Sequence, residues 1–127
     1  MTFRVLIVDD SKLARMAVAK ALTALKPDWT RVEATNADEA LALAHQASFD
    51  VALLDFNMPG RDGLTLAAEL RDLDQDMPIA IITANLQAEI VNRARDVGAH
   101  FLPKPLTQEA MSAFITQAEQ RLGAPGR

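Results

Sequence analysis

Four short, unbroken apolar runs, each ending abruptly at a polar residue or a proline, constrain the fold of this chain more than any other feature. Val5-Leu6-Ile7-Val8 stops at Asp9-Asp10, and Val51-Ala52-Leu53-Leu54 stops at Asp55. Ile79-Ala80-Ile81-Ile82 stops at Thr83, and the shorter Phe101-Leu102 stops at Pro103. A half-exposed strand alternates apolar and polar residues; a continuous run is the pattern of a strand covered on both faces. A weaker strand, Arg31-Val32-Glu33-Ala34, lies between the first two.

The segments between the runs carry apolar residues at helical spacing. After a Ser11 N-cap, Ala14, Val18, Ala21, Leu22 and Leu25 share a face that Pro27 ends. Asn36 with Glu39 three residues on is a capping-box-like start, followed by Ala40, Leu41 and Ala44. Leu66, Leu70 and Leu73 form a third stripe closed by Pro78, and Leu86, Ile90, Ala94 and Val97 a fourth closed by Gly98. Thr107 caps the last, in which Met111, Phe114, Ile115, Ala118 and Leu122 follow.

Strand and helix thus alternate five times. This predicts an α/β fold, a doubly wound five-stranded parallel sheet with helices on both faces. Right-handed crossovers bring all strand C-termini to one edge, where sites in such sheets lie. The 127 residues fit one domain, since domains most often run to about 100–150 residues. It is assigned to residues 1–122, with 123–127 a flexible, breaker-rich tail.

Composition removes whole classes of function. The chain has no cysteine, which excludes a disulfide scaffold, a zinc–thiolate site and a cysteine nucleophile. The net charge of −4 gives no basic footprint for direct nucleic-acid binding. No apolar run approaches the ~18 residues that span a bilayer, so membrane insertion is not expected. The N-terminus carries no signal-peptide pattern, so the expected location is the cytoplasm.

At the shared edge the strands deliver Asp9 and Asp10, Asp55, Thr83, and Lys104. Each has an ordinary reading alone. Asp9 and Asp10 complement a helix dipole, Asp55 and Asn57 are turn formers, Thr83 is a β-branched strand end, and Lys104 is a surface lysine. His45 and His100 stand apart from other ligand types, and Trp29 reads as packing. The coincidence of chemical types at four strand ends outweighs these readings. Two like charges ~4 Å apart repel by about 4 kcal/mol at an effective dielectric of ~20. Clustered carboxylates therefore call for a proton or a cation. Oxygen ligands of this kind suit Mg²⁺, which often shares a phosphate oxygen. A lysine and a hydroxyl beside one aspartate fit a phosphoryl group, and a carboxylate nucleophile can form an aspartyl phosphate.

From about Phe3 to Leu122 the chain resembles a response-regulator receiver domain of two-component signalling, of the stand-alone chemotaxis type. The resemblance rests on Val-Asp-Asp-Ser after the first strand and Leu-Leu-Asp-Phe-Asn-Met-Pro-Gly-Arg-Asp-Gly-Leu at the third. Ile-Thr-Ala at the fourth and Phe-Leu-Pro-Lys-Pro-Leu at the fifth complete it. It implies a flavodoxin-like (βα)5 fold with strand order 2-1-3-4-5 and Asp55 as phosphoacceptor. It also implies Mg²⁺ bound by Asp10, Asp55, the Asn57 main-chain carbonyl and Asp9, the last directly or through water. Lys104 and Thr83 would contact phosphoryl oxygens, with the Ala84 N–H nearby. The Lys104-Pro105 peptide would be cis, and Thr83 with Phe101 would form the switch.

The same resemblance implies a histidine kinase or histidine phosphotransfer protein as donor. The readout would pass to an unknown downstream protein through the fourth helix, fifth strand and fifth helix. It leaves open a monomer or a phosphorylation-dependent dimer. The positions two beyond Asp55 and Thr83 are Asn57 and Asn85, and neither amide is a strong base. Three other readings stand beside this one: a receiver segment of a larger regulator or hybrid kinase, a phosphorylation-independent adaptor, and a Mg²⁺-dependent phosphohydrolase. The phosphohydrolase typically needs a second aspartate where Asn57 stands and a cap domain that this length does not accommodate.

Overall fold

The computed structural model describes residues 2–123. Five strands alternate with five helices: β1 (Arg4–Val8), α1 (Lys12–Leu25), β2 (Thr30–Ala34), α2 (Ala37–Gln46), β3 (Val51–Asp55), α3 (Gly63–Leu73), β4 (Ile79–Thr83), α4 (Ala88–Asp96), β5 (His100–Pro103) and α5 (Gln108–Leu122). The strands are all parallel, in the order β2-β1-β3-β4-β5. This is the doubly wound parallel sheet expected from the sequence pattern, in the flavodoxin-type order that the family resemblance implies.

The unbroken apolar runs are explained by two cores, one on each side of the sheet. Val5, Ile7, Val51, Leu53, Ala80 and Ile82 point to the side covered by α1 and α5, where Leu22, Met111, Phe114 and Ile115 pack. Leu6, Val8, Ala52, Leu54, Ile79 and Ile81 point to the side covered by α2, α3 and α4. Successive side chains alternate faces along a strand, so only an apolar residue at every position fills both cores. Fully burying one such Leu or Ile contributes about 1.5–3 kcal/mol.

The edge strands account for the weaker signals. β2 lies at the edge of the sheet, and of its residues Ala34 alone is buried. β5 reaches His100–Pro103, two residues longer than its apolar core, and ends in a proline. An edge strand tolerates a residue without an N–H. The three expected caps form: Ser11, Asn36 and Thr107 side chains accept from the N–H groups of Ala14, Glu39 and Ala110. Trp29 packs as expected, buried with its ring edge-on to Phe3 at 5.1 Å.

Two expectations fail. Leu86 lies before α4 and is 68% exposed, because the helix begins only at Ala88, behind a Gln87 cap that makes no side-chain bond. Leu73, the last residue of α3, is 47% exposed because the helix ends where that face leaves the core. Of the tail expected at 123–127, Gly123 closes α5 by donating its N–H to the Glu119 carbonyl at 2.9 Å. Residues 124–127 lie outside the described residues. No helix among the described residues is long and apolar enough to cross a membrane.

Candidate functional site

Parallel register places the site. Val8 pairs with Leu54, which sets Asp9, one residue past β1, beside Asp55, the last residue of β3. Asp55 in turn pairs with Ile82, and Thr83 with Pro103. The ladder continues one step past the strands: the Lys104 N–H donates to the Thr83 carbonyl at 3.0 Å. That bond carries the Lys104 side chain back over β3, and its Nζ donates to Asp55 Oδ1 at 2.8 Å. The following Lys104-Pro105 peptide is cis, as expected.

Asp9, Asp10 and Asp55 each offer a carboxylate oxygen, and the three oxygens lie within 4.8 Å of one another. Asp9 and Asp55 are buried, whereas Asp10 is exposed at the rim. Burial pushes the Asp9 carboxyl above its ordinary value, and the negative charges of Asp55 and Asp10 act in the same direction. The Ser11 N–H, donating to Asp9 Oδ1 at 2.9 Å, and the Lys104 ammonium oppose them. Such a set repels itself until positive charge arrives. One lysine does not balance three carboxylates, and the open rim at Asp10 leaves access for a cation. The all-oxygen donor set matches the chemistry of Mg²⁺, which retains waters and uses few carboxylates.

Thr83 ends β4 only 1% exposed, and its Oγ1 accepts the Asn85 N–H at 3.0 Å, which leaves the hydroxyl proton free to donate elsewhere. Asn57 and Ala84 lie on the loops after β3 and β4, both exposed at the same edge. Phe101 is set back from the edge: it pairs with Ile81 and packs half-buried against the core under α4. The structure thus joins Asp9, Asp10, Asp55 and Lys104 directly, puts Thr83, Asn57 and Ala84 at the same strand-end edge, and leaves Phe101 one layer below.

Three further contributors are given no individual role by the sequence. Gly63 begins α3 directly beneath Asp55. Arg15 donates from Nη1 to the Asp9 carbonyl at 2.7 Å and from Nε to Glu33 at 2.9 Å. Asp62 caps α3 by accepting the Thr65 N–H at 2.8 Å. Only Asp62 leaves a trace, as an N-cap type before the stripe of Leu66, Leu70 and Leu73.

Comparison with known proteins agrees with this geometry. The model of the response regulator receiver domain matches residues 5–116. The positive alginate biosynthesis regulatory protein of Pseudomonas aeruginosa is 38% identical over 120 residues, covering 91% of this chain and 47% of that protein. Chemotaxis protein CheY4 of Vibrio cholerae is 30% identical, with a TM-score of 0.83, covering 93% of this chain and 99% of that one. A CheX-CheY-BeF3-Mg²⁺ complex from Borrelia burgdorferi is 26% identical with a TM-score of 0.81, covering 92% and 89%. The chain belongs to the response regulator receiver domain family, a signalling module rather than a true enzyme. The chain spans about half the length of the curated regulators that it matches.

Proposed function

We propose that the protein is a phosphorylation-activated switch that accepts a phosphoryl group on Asp55. The observation that carries this reading is the Asp55 carboxylate, 4% exposed, with Lys104 Nζ at 2.8 Å on one side and Asp9 and Asp10 on the other. Phosphoryl transfer needs positioning and charge neutralisation more than covalent chemistry from the protein. A carboxylate oxygen of Asp55 attacks phosphorus as the donor's bond to phosphorus breaks, and the donor departs with that electron pair. Lys104 would then meet a phosphoryl oxygen, and the Thr83 hydroxyl and Ala84 N–H would donate to the others. Asp9, Asp10, Asp55 and the Asn57 carbonyl would hold Mg²⁺. When bound, the ion neutralises charge on the phosphoryl oxygens.

The donor is a histidine kinase or histidine phosphotransfer protein, the class from which receiver domains take phosphate. The resting state stores charge tension, and the acyl phosphate changes what Thr83 bonds to. Movement of Thr83 toward the phosphate opens space that Phe101 can take, which couples the charge event to packing under α4. Output then passes through the α4-β5-α5 face to another protein.

The test is incubation with acetyl phosphate and Mg²⁺, followed by intact-mass measurement beside Asp55→Asn. One phosphoryl group is expected on the wild type, dependent on Mg²⁺ and absent from the variant. Failure of a folded protein to gain it would remove small-donor phosphorylation and favour an adaptor whose partner binding ignores phosphate.

A further inference from the structure

We propose that Arg15, oriented by Glu33, is a positioning residue that fixes the Asp9–Asp10 peptide and thereby sets the divalent-cation affinity of the acidic triad; this rests on the metal-binding part of the reading above.

Arg15 sits in the first turn of α1, where its N–H donates to the Ser11 carbonyl at 3.0 Å. Its side chain is only 12% exposed and turns back toward the sheet, not outward to water. One guanidinium nitrogen donates to the Asp9 main-chain carbonyl at 2.7 Å, and Nε donates to Glu33 Oε1 at 2.9 Å. Glu33 precedes Ala34 in β2, whose carbonyl accepts the Asp9 N–H at 3.2 Å. A closed circuit results: β2 holds Asp9 by its N–H, and the carboxylate of the neighbouring β2 residue aims the arginine that holds Asp9 by its carbonyl.

The peptide group is planar, so fixing the Asp9 carbonyl fixes the plane that carries Asp10. Asp10 is the exposed member of the triad and takes its place at the rim from that plane. The third Asp9 contact, from the Ser11 N–H, fixes the carboxylate of Asp9. Arg15 therefore governs a degree of freedom that no triad carboxylate controls. A planar fork is required, because two acceptors must be reached at once in fixed directions; a lysine ammonium does not reproduce that geometry. Partners that orient metal ligands are worth about 10–100-fold in metal affinity.

The experiment is calorimetric titration of EDTA-stripped protein with Mg²⁺, for wild type, Arg15→Ala, Arg15→Lys and Glu33→Gln. Both Arg15 variants are expected to bind about tenfold more weakly. Glu33→Gln, whose amide oxygen still accepts from Nε, is expected to lose less. In phosphorylation by acetyl phosphate, the half-saturating Mg²⁺ concentration should rise in parallel while the rate at saturating Mg²⁺ returns to the wild-type value. A purely structural role would lower the melting temperature without moving the Mg²⁺ dissociation constant. If Arg15→Ala fails to fold, Arg15→Lys carries the comparison. An unchanged dissociation constant in a folded Arg15 variant overturns the inference and leaves the phosphoacceptor reading standing. Absence of Mg²⁺ binding by the wild type overturns both the inference and that reading's metal requirement.

Discussion

A methyl group placed on Gly63 would lie 2.3 Å from the main-chain carbonyl oxygen of Asp55. The start of α3 is therefore pressed against the backbone of the residue that ends β3, closer than any side chain permits. The Gly63 N–H completes the contact by donating to the Phe56 carbonyl at 3.0 Å. Gly63→Ala is expected to cost about 1–3 kcal/mol, the usual range for overpacking where backbone must shift. Because the displaced atoms belong to Asp55, phosphorylation should slow as well. Urea unfolding and the acetyl phosphate rate check the two effects; a wild-type rate in a destabilised variant would show that α3 moves and Asp55 does not.

Asp9 gives a pH prediction. Burial first, then the charges of Asp55 and Asp10, raise its carboxyl above the unfolded value. The folded protein therefore keeps this proton to higher pH than the unfolded chain does. The contribution is fully present below the unfolded carboxylate value and is lost as pH rises through the folded one. Asp9→Asn removes that loss. In EDTA at neutral pH it is expected to melt higher than wild type, with the difference closing on acidification. Added Mg²⁺ should raise the wild-type midpoint and leave Asp9→Asn nearly unmoved. A melting series across pH, with and without Mg²⁺, reads both signs.

Asp62 carries the opposite sign. Burial opposes its ionisation, but the Thr65 N–H and hydroxyl, with Arg93 beside it, hold its carboxyl below the ordinary value. Its contribution is present at neutral pH and lost as pH falls through the depressed value. Asp62→Ala should cost about 1 kcal/mol as a lost N-cap, and Asp62→Asn far less. Denaturant midpoints at neutral pH should separate the two variants, and the wild type should approach Asp62→Ala in strong acid.

Much of this structure was readable as sequence because burial on two faces writes itself as uninterrupted apolar runs. The runs ending at Asp9, Asp55 and Thr83 located both the sheet and its functional edge. The residues that escaped notice act through the main chain. Arg15 reads as a polar helix position, Gly63 as one more loop glycine, and neither reports that a carbonyl lies against it. Leu86 fails for a related reason: its spacing matches the α4 stripe, but nothing local marks a helix that begins two residues later without a side-chain cap. Periodicity identifies faces; it does not say where a helix starts or which backbone atom a side chain will meet.

Under the proposed function, a Lys104 variant should separate phosphoryl transfer from metal binding. It touches Asp55 through one hydrogen bond but is itself partly exposed. Lys104→Ala should leave the three carboxylates in place and Mg²⁺ binding intact, since a competing cation is gone. Phosphoryl transfer should slow by about 10²–10³, the scale for losing one donor aimed at developing charge. Calorimetry against Mg²⁺ and the acetyl phosphate rate would show the split, and parallel loss of both would mean that the lysine organises the triad itself.

Arg71 tests whether the two ends of the molecule are independent. Its guanidinium donates to the carbonyls of Val97 and Gly98 in the α4–β5 turn, at 3.1 Å each. It also donates to Gln75 at 3.0 Å and Met77 at 2.6 Å in the α3–β4 connection. These carbonyls lie at the end of the sheet opposite Asp55, where α3 and α4 run into their loops; the Gln75 carbonyl also accepts from Arg121 at 3.4 Å. Arg71→Met keeps the aliphatic stem but strands the carbonyls. Hydrogen bonds to a charged group contribute about 1.5–3 kcal/mol each when separately lost; water replaces part of them here, so a total near 3 kcal/mol is expected. Amide exchange should quicken in the α4–β5 turn while Mg²⁺ affinity stays at the wild-type value. If affinity falls too, the connection between β5 and Lys104 transmits the loosened turn to the acidic site, and α4–β5 must be treated as one lever with that site at its far end.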